Sequence, residues 1–360
     1  MMARKVQVLV GTRKGAFIFE SDAARHSWSR RGPYCETWPI HHFIADPADG
    51  TLYGAGGNAW FGPAVWKSTD QGATWTHSSV GLAYAEGQTG ISAVWSLAAA
   101  HGRIYAGVEP AGLFVSDDAG DSFAPLSALN DHPTRPQWNP GGAGMILHHI
   151  VPNPDNAKEL WVVISAAGVF HTDDGGKSFS ARNKGTRADF APEGQREPDV
   201  GQCVHGLALA PGGKGRLYQQ NHCGMYRSDN GGANWHSIEA GLPSSFGFPA
   251  VAHPRDPERV FLFPLNGAEQ GRFPKGGRAA VWTSGNAGAT WQACTQGLPD
   301  NAYFGVLRQA MAADRLEPAG LYIGASNGTL FASADEGESF VTLAENLPTI
   351  SSIETHSFDG

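Results

Sequence analysis

Ser68-Thr69-Asp70-Gln71-Gly72-Ala73-Thr74-Trp75 is the stretch that decides the fold, because the chain returns to its pattern five more times. The pattern is Ser/Thr-x-Asp/Asn-x-Gly-x-Thr/Ser/Asn-Trp/Phe. A damaged copy, Ser21 to Trp28, precedes the others and keeps only the first and last residues. The copies begin at 21, 68, 116, 172, 228, 284 and 333, so the steps lie between 47 and 56 residues. Steps of this size, held over most of the chain, predict a repeat architecture.

The residue types in this pattern predict a turn and not a reactive group. Each copy follows a short strand-like run, such as Ala64 to Lys67, and polar sequence follows the copy. Asp or Asn and the first Ser or Thr can bond backbone N–H groups across a turn, and Gly accepts a positive φ. The closing Trp or Phe packs under the turn and fixes the start of the next strand. We therefore interpret the copies as scaffold.

The repeated pattern resembles the Asp-box, or BNR, repeat. Over nearly its whole length the chain is similar to the seven-bladed Asp-box β-propellers, a group often catalogued beside sialidases and other glycosyl hydrolases. It looks most like an uncharacterised bacterial subfamily, on the segments Trp138 to Gly142, Gln202 to His205 and Gln219 to Ser228. The resemblance implies an all-β, seven-bladed β-propeller of four-stranded blades in one domain, residues 1–360. It is weakly specific for function, since such propellers include hydrolases, sorting receptors and assembly factors.

The first blade lacks its innermost strand in sequence order. Val6 to Thr12 reads as a second strand and Gly15 to Glu20 as a third. The C-terminal run Pro348 to His356 has no copy of the pattern after it. We predict that this run closes the ring as the innermost strand of the first blade, which removes the free sheet edges that would invite aggregation.

Composition narrows the range of functions. The 360 residues include 47 Gly and 23 Pro, which suits an all-β protein with many turns. The formal net charge is −8 and no basic stripe carries interleaved aromatics, so we expect no nucleic-acid binding. Apolar runs are too short for a membrane span, and Met1 to Gly11 does not read as a signal peptide. The four cysteines lack metal-ligand spacing, so free thiols in a cytoplasmic protein are expected.

Three histidines occupy one repeat position near the start of the innermost strands: His41, His148 and His205. In this register they point into the central channel near one face. Their neighbours His42 and His149 alternate away, or take over the role if the register shifts by one. Converging neutral imidazoles suit a divalent transition metal that activates water or polarises a carbonyl. The sequence thus predicts a metal site, with plain channel packing as the alternative.

Loops at the same face supply candidate catalytic residues. Glu109, His222 and Arg272 lie between second and third strands of three repeats. Glu109 and Glu269 could form an acid/base pair for glycoside chemistry. A sialidase resembles this ring but uses an arginine triad, a tyrosine nucleophile helped by a glutamate, and an early Arg-Ile-Pro motif. None of these is visible, so the sialidase activity itself is not expected.

Candidate ligand-binding residues gather around the same channel mouth. Polar groups interrupt an apolar hairpin at Gln220 and Asn221, which either contact a ligand or bridge neighbouring blades. Aromatic rings in the set could stack on a sugar or pack between blades. The full set is Trp60, Trp95, Gln220, Asn221, Tyr303 and Arg308.

Three long insertions break the repeat, at residues 125–145, 181–201 and 267–278. Loops of this length inside a compact fold are usually functional or disordered. Two functions fit these features. The first is a hydrolase or lyase acting on a small polar, sugar-like or carboxylated ligand, by metal-assisted or histidine-based chemistry. The second is a non-catalytic ligand- or protein-binding propeller, and a degenerate former glycosidase is a third possibility.

Overall fold

The computed structural model describes residues 4–87, 89–212 and 215–359, and nearly all regular structure in them is β. Met1 to Ala3, at the head of the run discussed for a signal peptide, lie outside the described residues. None of the helices that the structure describes is long and apolar enough to cross a membrane; the cytoplasmic location stays a prediction. The helical segments are the α-helix Ser127–Asn130 and the 3₁₀ helices Cys35–Thr37, Arg135–Gln137 and Lys275–Gly277.

The strands form one eight-stranded sheet and five four-stranded sheets. Within each four-stranded sheet the strands are antiparallel neighbours in chain order, as short hairpin connections require. In chain order the strands are β1 Arg4–Thr12, β2 Gly15–Asp22, β3 Ser29–Tyr34, β4 Ile40–Ala45, β5 Leu52–Asn58, β6 Gly62–Ser68, β7 Thr76–Ser78, β8 Ala93–Ala100, β9 Arg103–Glu109, β10 Gly112–Ser116, β11 Ala124–Pro125, β12 Ile146–Pro152, β13 Leu160–Ser165, β14 Gly168–Thr172, β15 Ser180–Ala181, β16 Val204–Leu209, β17 Leu217–Asn221, β18 Gly224–Ser228, β19 His236–Ser237, β20 Phe246–Ala252, β21 Val260–Leu265, β22 Val281–Ser284, β23 Gln292–Cys294, β24 Val306–Ala313, β25 Leu321–Ala325, β26 Leu330–Ser333, β27 Val341–Ala344 and β28 Ile350–Asp359.

The eight-stranded sheet joins the two ends of the chain. Its order is β27-β26-β25-β24-β28-β1-β2-β3, and β28 pairs antiparallel with β1 from Arg4↔Asp359 to Thr12↔Ile350. The C-terminal run therefore occupies the predicted position beside the first strand. A single parallel bridge, Gln309↔Ser352, connects β24 to β28. The first strands contact one another in the order β28, β4, β8, β12, β16, β20, β24 and back to β28, so they enclose a common axis.

The six complete copies of the repeated pattern, hereafter the turn boxes, follow the third strand of their units and share one hydrogen-bond scheme. At Ser116 the hydroxyl donates to Asp118 Oδ1 (2.7 Å) and accepts from the Gly120 amide (2.8 Å). Asp118 Oδ2 in turn accepts from the Ser122 hydroxyl at 2.6 Å. Gly120 has φ +85°, which a side chain would strain. The polar groups of each box satisfy one another, which agrees with the interpretation as scaffold.

Aromatic side chains tie the boxes to neighbouring sheets. The indole of Trp161 on β13 donates to the Gly231 carbonyl in the box of the next sheet (2.9 Å). The phenol of Tyr53 on β5 likewise donates to Ala119 (3.1 Å). Both rings are at most 1% exposed, and burying such a side chain stabilises the fold by roughly 1.5–3 kcal/mol. Box and aromatic together fix the spacing between adjacent sheets.

The damaged first copy is replaced by a buried ion pair. Arg25 extends from this segment to Asp314, at the end of β24, with Nη1 3.1 Å from Oδ2. Its Nη2 donates to the carbonyls of Pro318 and Ala334, and the Tyr322 hydroxyl donates to the same carboxylate at 2.8 Å. The pair therefore links the first and last repeats where the turn box is lost.

The first strands carry a register shift near one end, and the predicted histidines lie in these shifts. Pairing skips His41 on β4, His148 on β12 and His205 on β16. Trp95 holds the same position on β8. The prediction that these histidines occupy one repeat position is confirmed. A bulge re-aims the extra side chain, so the direction of each ring depends on its own surroundings.

Candidate functional site

A cavity of about 300 Å³ lies at the end of the sheets opposite the turn boxes. It is formed where β16, β20 and β24 begin, and all three predicted insertions contribute to its wall. Its lining residues are Asn139, Pro140, Gly141, Gly142, Ala143, Ala166, Phe190, Gly201, Cys203, His205, His222, Phe246, Phe248, Arg272 and Arg308. No Asp or Glu occurs among them, which gives the cavity a positive character.

Arg308 is one of two arginines in this wall. Its guanidinium carbon lies 5.3 Å from the centre of the Phe248 ring, and its Nε is buried without a hydrogen-bond partner in the described chain. Burial lowers the pKa of Arg308 to about 10; Cys203 acts in the opposite direction and Arg272 adds to the lowering. An arginine almost always carries its proton, so this group needs an anion that the described chain does not supply.

Cys203, His205 and His222 form a compact cluster in the same wall. Cys203 Sγ lies 3.5 Å from His205 Nε2, and the ligand atoms of all three residues lie within 4.8 Å of one another. His205 Nδ1 donates to the Gly247 carbonyl at 2.7 Å, which leaves the lone pair on Nε2. The cluster thus presents a thiol sulfur and two imidazoles beside Arg308.

Burial sets the protonation of this cluster. It lowers the pKa of His205 well below its ordinary value, with Arg308 adding to the effect. It also lowers the pKa of His222, where Arg272 and Arg308 contribute. Burial raises the pKa of the Cys203 thiol, although Arg308 opposes this. Both imidazoles are therefore neutral near pH 7 and can accept a proton or bind a metal.

The structure brings four predicted site residues into one cavity: His205, His222, Arg272 and Arg308. They come from three repeats and were expected at one channel mouth, and they lie together there. Arg272 reaches across from its insertion, since a methyl group built at Gly142 would lie 3.9 Å from its Nη2.

The three histidines predicted as metal ligands do not converge. Among the described residues, the group that can hold an ion contains His205 but neither His41 nor His148. His41 stacks on Trp95 at 4.2 Å and donates from Nε2 to the Gly57 carbonyl. His148 turns toward His149, with their Nδ1 atoms 2.8 Å apart. The repeat position is shared, but each bulge aims its ring at a different neighbour.

Glu109 also lies outside the cavity. Its Oε2 accepts from the Trp95 indole at 2.8 Å, so both predicted residues satisfy each other. Glu269 is exposed on the 267–278 insertion. Neither carboxylate lines the cavity, and the acid/base pair considered from the sequence is not assembled there.

Gln220 and Asn221 are buried beneath the cavity wall and do not line it. Gln220 Nε2 donates to the carbonyls of Asn221, Gly224 and Ser245, the last of these just before β20 in the next sheet. Of the two sequence interpretations, the bridge between sheets is the one observed for Gln220. Asn221 Oδ1 accepts from the Cys223 amide, and its Nδ2 has no partner in the described chain.

Two aromatic candidates lie on the surface. Trp60 is 88% exposed in the turn between β5 and β6. Tyr303 is 69% exposed, packs against Phe273 and lines a second cavity of about 630 Å³ between the last two sheets in chain order. Neither Trp60 nor Tyr303 lines the Arg308 cavity.

Sequence reasoning missed Cys203 and the phenylalanines Phe190, Phe246 and Phe248. Cys203 and His205 stand two apart at the start of a strand, a spacing that offers two ligands from one segment. Strand pairing adds the third, because Val204↔Asn221 places His222 beside them. That cross-strand partner is readable only once the register of the hairpin is known.

No family model matches the chain. A curated relative from Neosartorya fischeri, described as a probable oligoxyloglucan-reducing end-specific xyloglucanase, is 28% identical over 151 residues. The match covers 41% of this chain and 17% of the relative. The chain therefore spans less than a fifth of that protein.

Solved structures with a similar fold match a larger part of the chain than this sequence relative does. The GH74 xyloglucanase from Xanthomonas campestris has a TM-score of 0.62 at 16% identity, covering 94% of this chain and 54% of that one. YCF48 from Cyanidioschyzon merolae has a TM-score of 0.56 at 11% identity, covering 84% of both chains. YCF48 bound to D1 peptide gives 0.55 at 15%, covering 85% and 82%. These similarities show a β-propeller fold.

Proposed function

We propose that this protein is an enzyme that binds a small, sugar-like molecule bearing a carboxylate in the Arg308 cavity. The observation that carries the proposal is the guanidinium of Arg308, which faces a cavity whose described lining holds no acidic side chain. Arginine binds carboxylates through paired N–H donors, and the interaction strengthens where water is excluded. A carboxylate in the cavity would complete the missing pair.

The size and lining of the cavity favour a single small molecule. At about 300 Å³ it lies at the lower end of ordinary ligand pockets. Apolar and aromatic residues such as Phe246 and Phe248 provide a stacking surface for a sugar face. The xyloglucanase relatives support a carbohydrate-like ligand, although the cavity suits a monomer better than a polymer.

The reaction class we propose is hydrolysis or a lyase step, with His222 and Arg272 as the catalytic candidates beside the anchored acid. Neutral imidazole can accept a proton from water or from the carbon next to a carboxylate. Arg272 can stabilise the negative charge that develops in either reaction. A metal ion bound to His222 would occupy this imidazole, and a metal-activated water would then take over the role of base. Glycoside cleavage by paired carboxylates needs two acids, which the described lining lacks.

The test compares two probes that differ mainly in charge: D-glucuronate and D-glucose. Calorimetry should detect glucuronate binding and much weaker glucose binding. Arg308→Gln should weaken glucuronate binding about 10–100-fold, because a charge-assisted pair is lost. Arg103→Gln, at an exposed pair with Asp117, is the matched control and should leave binding unchanged. Equal affinity for both probes, or no effect of Arg308→Gln, would contradict the proposal.

A second candidate function is a non-catalytic, protein-binding propeller. The exposed Trp60 and half-exposed Phe61 lie on the same turn, and Phe61 stacks on Trp38 at 4.5 Å. Exposed aromatics of this kind are enriched at protein interfaces. The YCF48 structures, one with a bound peptide, support this alternative. Loss of a pulled-down partner on Trp60→Ser would favour it over the enzyme.

We also propose the finer architecture. The eight-stranded sheet divides at the single β24–β28 bridge into two four-stranded units. Together with the five separate sheets this gives seven blades in one domain, with the turn boxes acting as Asp-boxes. Limited proteolysis should then yield no stable fragment smaller than the ring.

A further inference from the structure

We propose that Cys203, His205 and His222 bind one zinc-type metal ion, with a fourth coordination position open toward the Arg308 cavity. The inference deepens the proposed function, on which it rests only for the identity of the fourth ligand. It replaces the histidine set expected from the sequence with a thiol and two imidazoles on a single sheet.

The three ligands are held by one rigid hairpin arrangement. Cys203 immediately precedes β16, His205 is the bulged residue of that strand, and His222 follows β17. The His222 amide donates to the Cys203 carbonyl at 2.8 Å, so the backbones of the first and third ligands are tied together. Sites on paired strands hold their side chains more accurately than sites on loops.

The sulfur–nitrogen distance already fits coordination. Zinc binds sulfur at about 2.3 Å and imidazole nitrogen at about 2.0–2.1 Å, so a tetrahedral angle places the two atoms about 3.6 Å apart. Cys203 Sγ and His205 Nε2 are 3.5 Å apart. The third ligand atom lies within 4.8 Å of both, so coordination would draw the His222 ring closer, to about 3.3–3.6 Å from the other two atoms.

A carbonyl behind the cluster orients the central ligand. His205 Nδ1 donates to Gly247 at 2.7 Å, which leaves Nε2 free of its proton on the side that faces Cys203. Metal-bound histidines commonly use their other nitrogen in this way, and the partner raises ligand basicity and fixes the ring. His205 therefore has the tautomer that coordination requires before any metal arrives.

The ligand types and the surroundings select the kind of metal. Thiolate and imidazole together favour zinc over calcium or magnesium, which prefer oxygen. Three protein ligands with one open position is the arrangement of catalytic zinc sites. The open position faces Arg308, so a carboxylate held by that guanidinium would lie beside the ion.

The experiment uses cobalt(II) as a spectroscopic substitute for zinc in the full-length protein, first stripped with a chelator. One Co²⁺ per chain should bind and produce both a thiolate charge-transfer band and the intense visible bands of a tetrahedral site. Cys203→Ser should remove the charge-transfer band. It should also weaken Zn²⁺ binding at least about tenfold, the scale seen when metal-site contacts are lost. His222→Gln should weaken binding similarly.

Cys223→Ser is the matched control, because this half-buried thiol is near the cluster but outside it. It should leave cobalt binding and both band systems intact. Circular dichroism and thermal unfolding of Cys203→Ser establish that the variant is folded. The proposal is overturned if wild-type protein binds neither ion, or if the thiolate band survives Cys203→Ser and disappears in Cys223→Ser.

Glucuronate calorimetry on the metal-free protein separates the two proposals. Binding that depends on Arg308 without any cobalt signal would sink the metal site and leave the proposed function standing. A cobalt signal without glucuronate binding would support the metal site and refute the carboxylate ligand.

Discussion

The two ends of the sheets differ in how completely their polar side chains are hydrogen-bonded. At the turn-box end, polar side chains are bonded within their own loop, as in the set formed by Ser116, Asp118 and Ser122. At the cavity end, buried polar atoms remain without partners in the described chain, including Arg308 Nε and Asn221 Nδ2. Burying an unpaired polar group is costly. The box end therefore serves stability, whereas the cavity end carries a cost that a ligand can offset.

The turn boxes and the bulges of the first strands repeat in different ways. In every box the first hydroxyl donates to Oδ1 of the Asp or Asn and accepts from the Gly amide, because the turn imposes the same geometry each time. The bulge position returns with different residues, among them His41, Trp95 and His205. A repeat that keeps its backbone and varies its side chains creates similar positions around the axis for unlike chemistry.

The largest expected change in stability concerns the buried ion pair at the turn-box end. Asp314→Ala removes the carboxylate that Arg25 and Tyr322 share, and leaves a buried guanidinium without its counter-charge. We expect a loss of about 3–5 kcal/mol in the free energy of unfolding. Urea unfolding measures it. Asp117→Ala, at the exposed pair with Arg103, should cost less than about 1 kcal/mol. Equal losses in the two variants would refute the distinction between buried and exposed pairs.

The next effect has the opposite sign. Arg308→Met replaces an unpaired buried charge by an apolar chain of similar length, so we expect a gain of about 1–3 kcal/mol in unfolding free energy. The same change at Arg25, whose Nη1 donates to Asp314 and whose Nη2 donates to the carbonyls of Pro318 and Ala334, should destabilise. Thermal unfolding of both variants without ligand measures these changes. A loss of stability in Arg308→Met would contradict the view that polar groups at the cavity end are unpaired at a cost to stability.

The smallest effect is the pH dependence of the boxes. Hydrogen bonds from the Thr74 hydroxyl and amide and from Ser68 lower the pKa of Asp70 from 3.8 to about 2. A lowered carboxyl pKa stabilises the fold fully above the unfolded value, and that contribution disappears as pH falls through the folded value. Stability should therefore decline between about pH 4 and pH 2.

Asp118→Asn tests the assignment, because Asn already serves in the boxes at Asn230 and Asn286. Hydrogen bonds from Ser122 and Ser116 lower the pKa of Asp118 in the same way. Melting temperatures of the variant should depend less steeply on pH in this window. An unchanged slope would show that acid sensitivity arises elsewhere in the chain.

The fold was predictable because its information is local. Each turn box encodes a complete hydrogen-bond set within eight residues, and the run from Ile350 pairs with β1 as expected. The shared position of His41, His148 and His205 was also predictable, because the strands align through the repeat. Local patterns therefore gave the strands and their order.

The site was only partly predictable because its information is not local. His205, His222, Arg272 and Arg308 were expected at one mouth, but the direction of a bulged side chain depends on partners from other sheets. His41 turned to the Trp95 ring, and Glu109 to the Trp95 indole. Cys203 was overlooked because its partner His222 becomes a neighbour only through strand pairing.

The pairing of β28 with β1 has a consequence for synthesis in the cell. Strand β1, Arg4–Thr12, leaves the ribosome well before β28, the strand that covers its free edge. Until β28 is synthesised, the nascent chain presents an uncovered row of backbone donors and acceptors, and the incomplete ring is open to pairing with another copy. The ten residues of β28 act as a latch, because their pairing with β1 closes the ring and covers the edge at which another copy could add.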